Sequence, residues 1–406
     1  MTVIMKIVSL ETYQQLEGLS QQQNFLQSAA MSKVQTDQQR FLNIRPLVFY
    51  QGEQVLAQAL VLYRKKMRFF TESLILHGPI FHVTDKSSQR QVMLALEKGL
   101  KKEGIAKLTI YPYQVDMVRD SQLEILAENV VDKTLYQDQD FVHDFDLEQS
   151  VVVNQMFVKN LEDFTDEKEI LEAFPPYLKR DLHKFSDTQV KVRELGLEEL
   201  NLFYQILTET SQRKGFYLQP FSYFQSLKQH FGDQAQFMLA YLDCQAYEAY
   251  LIEKITSFEA TIADLESKPN SKRTRGAIAD AKDQLRSYLK RQSKWQEMGI
   301  SSPSLPLSAY CFISYGREIV SFSGGSYEEY INFGGSTLIH WDRIRYGKEK
   351  GFSAFNFYGT LEVEAASQGK GNFNFKRQFG GQLITLVGSF SKTWNPFLAL
   401  LEKVKS

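Results

Sequence analysis

Cysteine is nearly absent. Cys244 and Cys311 are the only two in 406 residues and form no paired motif, so the chain reads as a reduced protein with no disulfide framework and no cysteine-based metal site. Histidine is equally sparse. His77, His82, His143, His183, His230 and His340 are scattered without ligand spacing, which argues against a zinc centre or a catalytic-histidine motif, and no cofactor is expected. Long apolar runs are also missing. Nothing approaches the roughly 18 to 20 residues that a membrane-spanning helix needs, and Met1 to Leu10 lacks the apolar core of a signal peptide, so a cytoplasmic protein is expected. Net charge is −1, which leaves any contact with nucleic acid or anionic lipid to a local basic patch. No GxSxG elbow or Cys/His arrangement marks a hydrolase.

What is present is a globular composition, 43% apolar and 13% aromatic, in a chain too long for one ordinary core. Residues 247–298 depart from the rest. Leu251, Ile255, Phe258, Ile262 and Leu265 alternate spacings of four and three. After Pro269-Asn270-Ser271 the pattern resumes as Ile278, Ala281, Leu285, Tyr288, Gln292 and Trp295. Two complementary seams around a short turn predict an antiparallel coiled-coil hairpin. Its surface carries Lys282, Arg286, Lys290 and Lys294 every four residues, with Lys268, Lys272, Arg273 and Arg275 near the tip. That array suits a phosphate backbone, although interspersed acids such as Glu266 and Asp283 also fit a merely solubilised helix pair.

The flanks look like two copies of one α/β unit. Residues 6–10 and 190–195 each read as a short strand leading into an amphipathic helix. Later, ALEKGLKKEG and WDRIRYGKEKG each end a helix at a basic turn with a closing glycine before an apolar strand. The Lys6–Gly104 and Lys191–Gly351 intervals agree to about ten residues once the hairpin is removed. The expected division is a first domain over 1–150, closed by a C-terminal helix over 394–406, and a second domain over 151–246 and 299–393, interrupted by the hairpin at 247–298.

NFLQS near the start, HGPI at 77–80, VKVREL at 190–195, TSQRKGFY at 210–217, the hairpin, SFSGGS at 321–326, FNFYG at 355–359 and NFKRQFGGQ near the end occur in an order that resembles the Fem family. These are non-ribosomal peptidyltransferases that build the interpeptide bridges of peptidoglycan. The resemblance covers nearly the whole chain and implies two acetyltransferase-like domains plus the hairpin. It implies transfer of Ala, Ser or Gly from aminoacyl-tRNA, as co-substrate, to a muropeptide amine. The acceptor would be the lipid-linked precursor lipid II or its soluble nucleotide form.

Aminolysis of an ester passes through an oxyanion, so a fixed cation is wanted where that charge develops. The resemblance points to Lys376 for this role and to Phe375 beside the tRNA acceptor end. From residues alone, Lys376 is a strand lysine among Phe373, Phe375 and Phe379. Arg213 and Tyr217 resemble the pair that grips the acceptor, a guanidinium for phosphate and a phenol for a sugar or carbonyl. The chain departs from the family pattern at three acceptor-side places: Gln35 stands where a lysine is common, with Lys33 nearby as a substitute; Phe322 replaces a tyrosine; Tyr111 replaces an acid. Arg64-Lys65-Lys66-Met67-Arg68-Phe69-Phe70 mixes cations with apolar groups, which suits peripheral docking on an anionic leaflet or an ordinary hairpin turn. Two rivals stand beside this reading. One is an acetyl-CoA-type acyltransferase, for which residues 368–373 and 378–383 are near matches to a pyrophosphate loop. The other is a binding protein that kept the fold and lost the activity.

Overall fold

The computed structural model describes residues 2–20, 22–145, 150–360 and 370–405. Two twisted sheets organise the chain. The first runs in the order Ile4–Ile7, Asn43–Gln51, Gln54–Lys66, Phe70–Leu76, Lys107–Tyr111, Ser389–Thr393 and Val142–Asp144. The second runs Val190–Glu194, Ala235–Asp243, Ser304–Tyr315, Glu318–Ser326, Ala354–Gly359, Gln155–Asn160, Gln382–Leu386, Val115–Arg119 and Ile125–Glu128.

The two sheets share one plan. Among the described residues each has a single parallel pair, Phe70–Leu76 with Lys107–Tyr111 and Glu318–Ser326 with Ala354–Gly359. A parallel pair needs a crossover, and a helix supplies it in both: Lys86–Lys102 and Gly335–Glu349. Both helices end alike. Gly104 and Gly351 each sit at φ +77°, the left-handed conformation that glycine adopts without a Cβ penalty. The amides of Ile105 and Phe352 reach back to the carbonyls of Leu100 and Gly347, closing two Schellman turns where the sequence places its two closing glycines.

Helices cover both faces of the second sheet. Phe237, Leu239, Ala309 and Cys311 face the helices Leu200–Lys214 and Phe221–Phe231, while Met238, Ala240 and Phe312 face the opposite core, as the two-residue period of a strand requires. Phe25, Met31 and Val34 from the start of the chain join the first of these cores, so the two halves share apolar packing.

The expected boundaries at 150/151 and 393/394 do not follow sheet membership. Val115–Arg119 pairs with Gln382–Leu386 in the second sheet, and Ser389–Thr393 pairs with Lys107–Tyr111 in the first. Each half thus lends short strands to the other. The closing helix is Pro396–Lys405, and it follows the lent strand on the first lobe, where Lys107 pairs with Glu402 at 2.8 Å.

The helical hairpin comprises Cys244–Glu266 and Lys272–Glu297. It occupies the turn between two antiparallel strands whose ends, Asp243 and Ser304, are register partners. Asp243 and Ser271 cap the two helices by accepting from the amides of Ala246 and Thr274. Leu251, Ile255, Ile262, Ala281 and Trp295 are buried along the expected seam, and Phe258 stacks on Tyr288 at 5.7 Å. At 23 and 26 residues, the helices extend about 35–39 Å.

Candidate functional site

The parallel pair of the second sheet is joined only over Glu318–Val320 and Ala354–Asn356. Beyond that point both strands bulge. Cys311 and Phe312 face Ser323 and Ser321, leaving Phe322 as an extra residue, and the register against Gln155–Asn160 shifts between Asn356 and Gly359. Bulges bend strands and re-aim side chains. Here a cleft of about 920 Å³ lies between the two strands.

Five of the expected site residues, Arg213, Tyr217, Phe322, Phe375 and Lys376, line this one cleft. Arg213 ends the helix Leu200–Lys214, donates to the Ser326 carbonyl at 3.3 Å and lies 3.5 Å from the Glu328 carboxylate. Tyr217 follows it and is largely exposed. Phe322 packs against Phe25, Tyr223 and Tyr358 with ring centroids 5.6, 6.3 and 5.7 Å away. The SGGS run supplies the floor. A Cβ on Gly324 would lie 2.1 Å from the Tyr310 ring and one on Gly325 2.1 Å from Thr210 Oγ1, so only glycine permits this approach. Ser308, Ser326, Ser336 and Tyr310 join their hydroxyls in a network beneath it.

Lys376 lies on the helix Lys370–Arg377 and not on a strand. Phe373 and Phe379 are buried in the core, while Phe375 contacts His340 edge-on at 5.0 Å. Lys376 is 7% exposed, and its ammonium donates to the Tyr358 carbonyl at 3.1 Å and to the Gly359 carbonyl. Among the described residues no carboxylate pairs with it. Burial pushes its pKa down to about 7.

His340, one of six histidines that the sequence scatters without ligand spacing, lines the cleft. Its Nδ1 lies 2.7 Å from the Ser336 carbonyl, which can only accept, so Nδ1 carries the proton and Nε2 accepts from the Ser321 hydroxyl at 3.1 Å. Burial pushes its pKa down to about 3, and the ring stays neutral, stacked on Phe357 at 5.6 Å.

The remaining expected residues are elsewhere. Lys33 is exposed and Gln35 half-buried on the helix Ala29–Asp37, and neither lines the cleft; Gln35 contacts Met31 Sδ at 3.6 Å. Arg40, further along, does not line the cleft either, but its guanidinium donates to the Oη of Tyr217, which does, at 3.0 Å. On the hairpin, Lys282 pairs with Glu266 at 2.8 Å and Arg286 with Asp283. Lys272, Arg273, Lys290 and Lys294 are exposed and make no ion pair with described residues. Tyr111 ends its strand outside the cleft.

No Asp or Glu lines the cleft among the described residues, whereas Arg213, Lys214 and Lys376 do, so it favours anionic ligands. No group of His, Cys, Asp or Glu among them is placed to hold a metal ion. Of the two near matches to a pyrophosphate loop, 368–373 lies partly outside the described residues. The other, 378–383, follows the C-terminus of the Lys370–Arg377 helix, where carbonyls would meet a phosphate instead of amides.

A family model described as the FemAB family matches residues 8–405. Aminoacyltransferase FemB of Staphylococcus epidermidis is 28% identical over 334 residues, 78% of each chain. Aminoacyltransferase FemA of the same organism is 25% identical over 357 residues, 84% of each chain. The crystal structure of FemX superposes with a TM-score of 0.76 at 18% identity, covering 98% of this chain and 99% of that one, which shows a shared fold.

Proposed function

This chain belongs to the FemAB family and is an aminoacyltransferase, and we propose that it moves Ala, Ser or Gly from aminoacyl-tRNA to an amine of the lipid-linked peptidoglycan precursor lipid II. The observation that carries this reading is the convergence of Arg213, Tyr217, Phe375 and Lys376, drawn from distant segments, on one cation-lined cleft. The acceptor amine attacks the ester carbon, and the carbonyl electrons move to oxygen. Collapse breaks the bond to the tRNA 3′ oxygen, which leaves with the proton given up by the amine, and an amide and deacylated tRNA result. Lys376 acts on the transient oxyanion. In a site this dry its ammonium is worth far more than in water, because the low dielectric that depresses its pKa also strengthens its field. Arg213, Tyr217 and Arg40 hold the acceptor, and the exposed cations of the hairpin follow the tRNA backbone.

The same reading includes peripheral contact with an anionic membrane. Phe69, 84% exposed at a strand turn, lies next to Phe70, which contacts Phe397 at 6.3 Å; Phe397, Leu400 and Val404 form an exposed face of the closing helix. No helix among the described residues is long and apolar enough to cross a membrane.

Radiolabelled alanyl-, seryl- or glycyl-tRNA incubated with lipid II and the folded protein tests the proposal. Label in the precursor is the expected result. No transfer from any of the three overturns it in favour of a binding-only role, and transfer from acetyl-CoA instead would favour the small-molecule rival.

A further inference from the structure

Lys376 has no counter-ion among the described residues, yet both groups that hold it are backbone carbonyls, of Tyr358 and Gly359. Their direction depends on a local distortion. Opposite Met156 and Val158, the strand Ala354–Gly359 presents Gly359 and Asn356, so it carries one residue more than its partner over this stretch. Tyr358 absorbs the excess at φ +60°, a conformation that an aromatic residue adopts only under constraint.

The constraint is Asn356, which is 1% exposed. Its Oδ1 accepts from the Tyr358 amide at 2.8 Å. Its Nδ2 donates to Glu318 Oε2 at 3.0 Å and lies 3.3 Å from both Tyr113 Oη and Met156 Sδ. Tyr113 in turn donates to the Glu318 carboxyl at 3.0 and 3.1 Å. The carboxyl therefore fixes which way the Asn356 amide faces, and the amide fixes the bulge. Three donors sit on a lysine ammonium, and two are spent on carbonyls, which leaves one N–H for a ligand in the cleft.

We propose that Asn356, locked by Glu318 and Tyr113, is a positioning residue that holds Tyr358 in its left-handed bulge and so aims the Lys376 ammonium into the cleft. This inference rests on the reading of Lys376 as the cation that meets the oxyanion. It adds three groups to the machinery, the buried Asn356 and the half-buried Glu318 and Tyr113, the last from the connection between Lys107–Tyr111 and Val115–Arg119. Groups that hold the lysine's supports without touching substrate act by orientation, so their loss moves turnover and not binding.

The test compares Asn356→Ala, Glu318→Ala and Glu318→Gln with the parent and with Lys376→Met, each checked for folding by thermal unfolding. Asn356→Ala and Glu318→Ala should lower kcat at least tenfold with KM for aminoacyl-tRNA and lipid II within twofold. Glu318→Gln keeps an acceptor for both donors and should recover kcat to within threefold. The inflection of kcat with pH should also rise by half a unit or more in Asn356→Ala, because a released ammonium regains water. His340, the titratable group facing Lys376, stays neutral and does not contribute to that inflection. If Asn356→Ala fails to fold, the contrast between the two Glu318 variants decides by the same readouts. Parental kcat and pH inflection in folded Asn356→Ala and Glu318→Ala, beside an inactive Lys376→Met, overturn this inference alone. A Lys376→Met enzyme with parental kcat overturns the reading beneath it as well.

Discussion

Arg40 and Tyr217 are 177 positions apart, yet the guanidinium of one donates to the phenol oxygen of the other at 3.0 Å, with the guanidinium 5.9 Å from the ring centre. The contact joins the first half of the chain to the cleft of the second and leaves both groups largely open to solvent. An exposed pair of this kind contributes little to stability, so its loss tests the proposed acceptor role without unfolding the protein.

Arg40→Ala and Tyr217→Phe are therefore expected to raise KM for lipid II by about fivefold to tenfold, roughly the 1 to 1.4 kcal/mol of one ordinary hydrogen bond. The kcat should stay within about twofold, since the interaction is made equally in the ground and transition states. Steady-state kinetics with aminoacyl-tRNA held saturating would show this. A fall in kcat with unchanged KM would remove both residues from acceptor binding.

Lys376 makes a prediction with a sign. Burial pushes its pKa from 10.5 to about 7, so in the free enzyme the ammonium is lost as pH rises through neutrality. If the cation is the active form, kcat/KM falls above about pH 7. A rise over the same interval would assign the neutral amine as a base. Stability runs the other way. Between pH 7 and 10.5 the unfolded chain holds the proton that the folded chain has released, so parent stability increases with pH across that window. Lys376→Met should accordingly raise Tm most below pH 7, with the advantage shrinking towards pH 10.5, while lowering turnover by about a hundredfold, the scale at which one oxyanion donor acts.

The hairpin and the paired helix ends were legible in the sequence because each is a local code: a spacing of four and three, and a glycine where a helix must stop. The strand exchange was not. Val115–Arg119 and Ser389–Thr393 are five residues each, and nothing in so short a strand says which sheet it will join. Phe373 and Phe375 alternate like a strand, but the segment folds as a helix that buries Phe373 and turns Phe375 to the cleft. Arg40 and the Ser321–His340 pair were invisible for a different reason. Only tertiary packing joins them to their partners, and a lone arginine, serine or histidine carries no motif. Lys33 was the natural substitute by proximity in sequence, whereas the helix Ala29–Asp37 leaves Lys33 in solvent and carries the chain on to Arg40.

Of the four-residue basic stripe on the hairpin, half is already engaged. Lys282 and Arg286 have acidic partners within the hairpin, while Lys290 and Lys294 are free among the described residues. Counter-ion release scales with the phosphates a protein neutralises, so the free pair should dominate the salt response. Lys290→Gln with Lys294→Gln is expected to reduce the slope of log K against log salt for tRNA by about one to two units, and adding Lys282→Gln and Arg286→Gln should change it less. Filter binding from 50 to 300 mM salt, roughly the range over which such slopes are read, checks this. A slope unchanged in the fourfold variant would leave the hairpin as scaffold.

The proposed membrane face can be separated from the chemistry, because Phe69 and Val404 lie outside the cleft and are exposed. Arg64 and Lys66 are paired with Glu72, which holds the turn, so Lys65 and Arg68 are the cations left to meet a headgroup. Burying one large aromatic side chain contributes about 2 kcal/mol, comparable to two surface cations at about 1 kcal/mol each on an anionic leaflet. Phe69→Ser with Val404→Ser should therefore weaken cosedimentation with phosphatidylglycerol vesicles about tenfold or more. Transfer to a detergent-dispersed lipid II should stay at the parental rate. Retention of vesicle binding in that variant, or equal binding of the parent to neutral vesicles, would show that this face does not dock on an anionic bilayer.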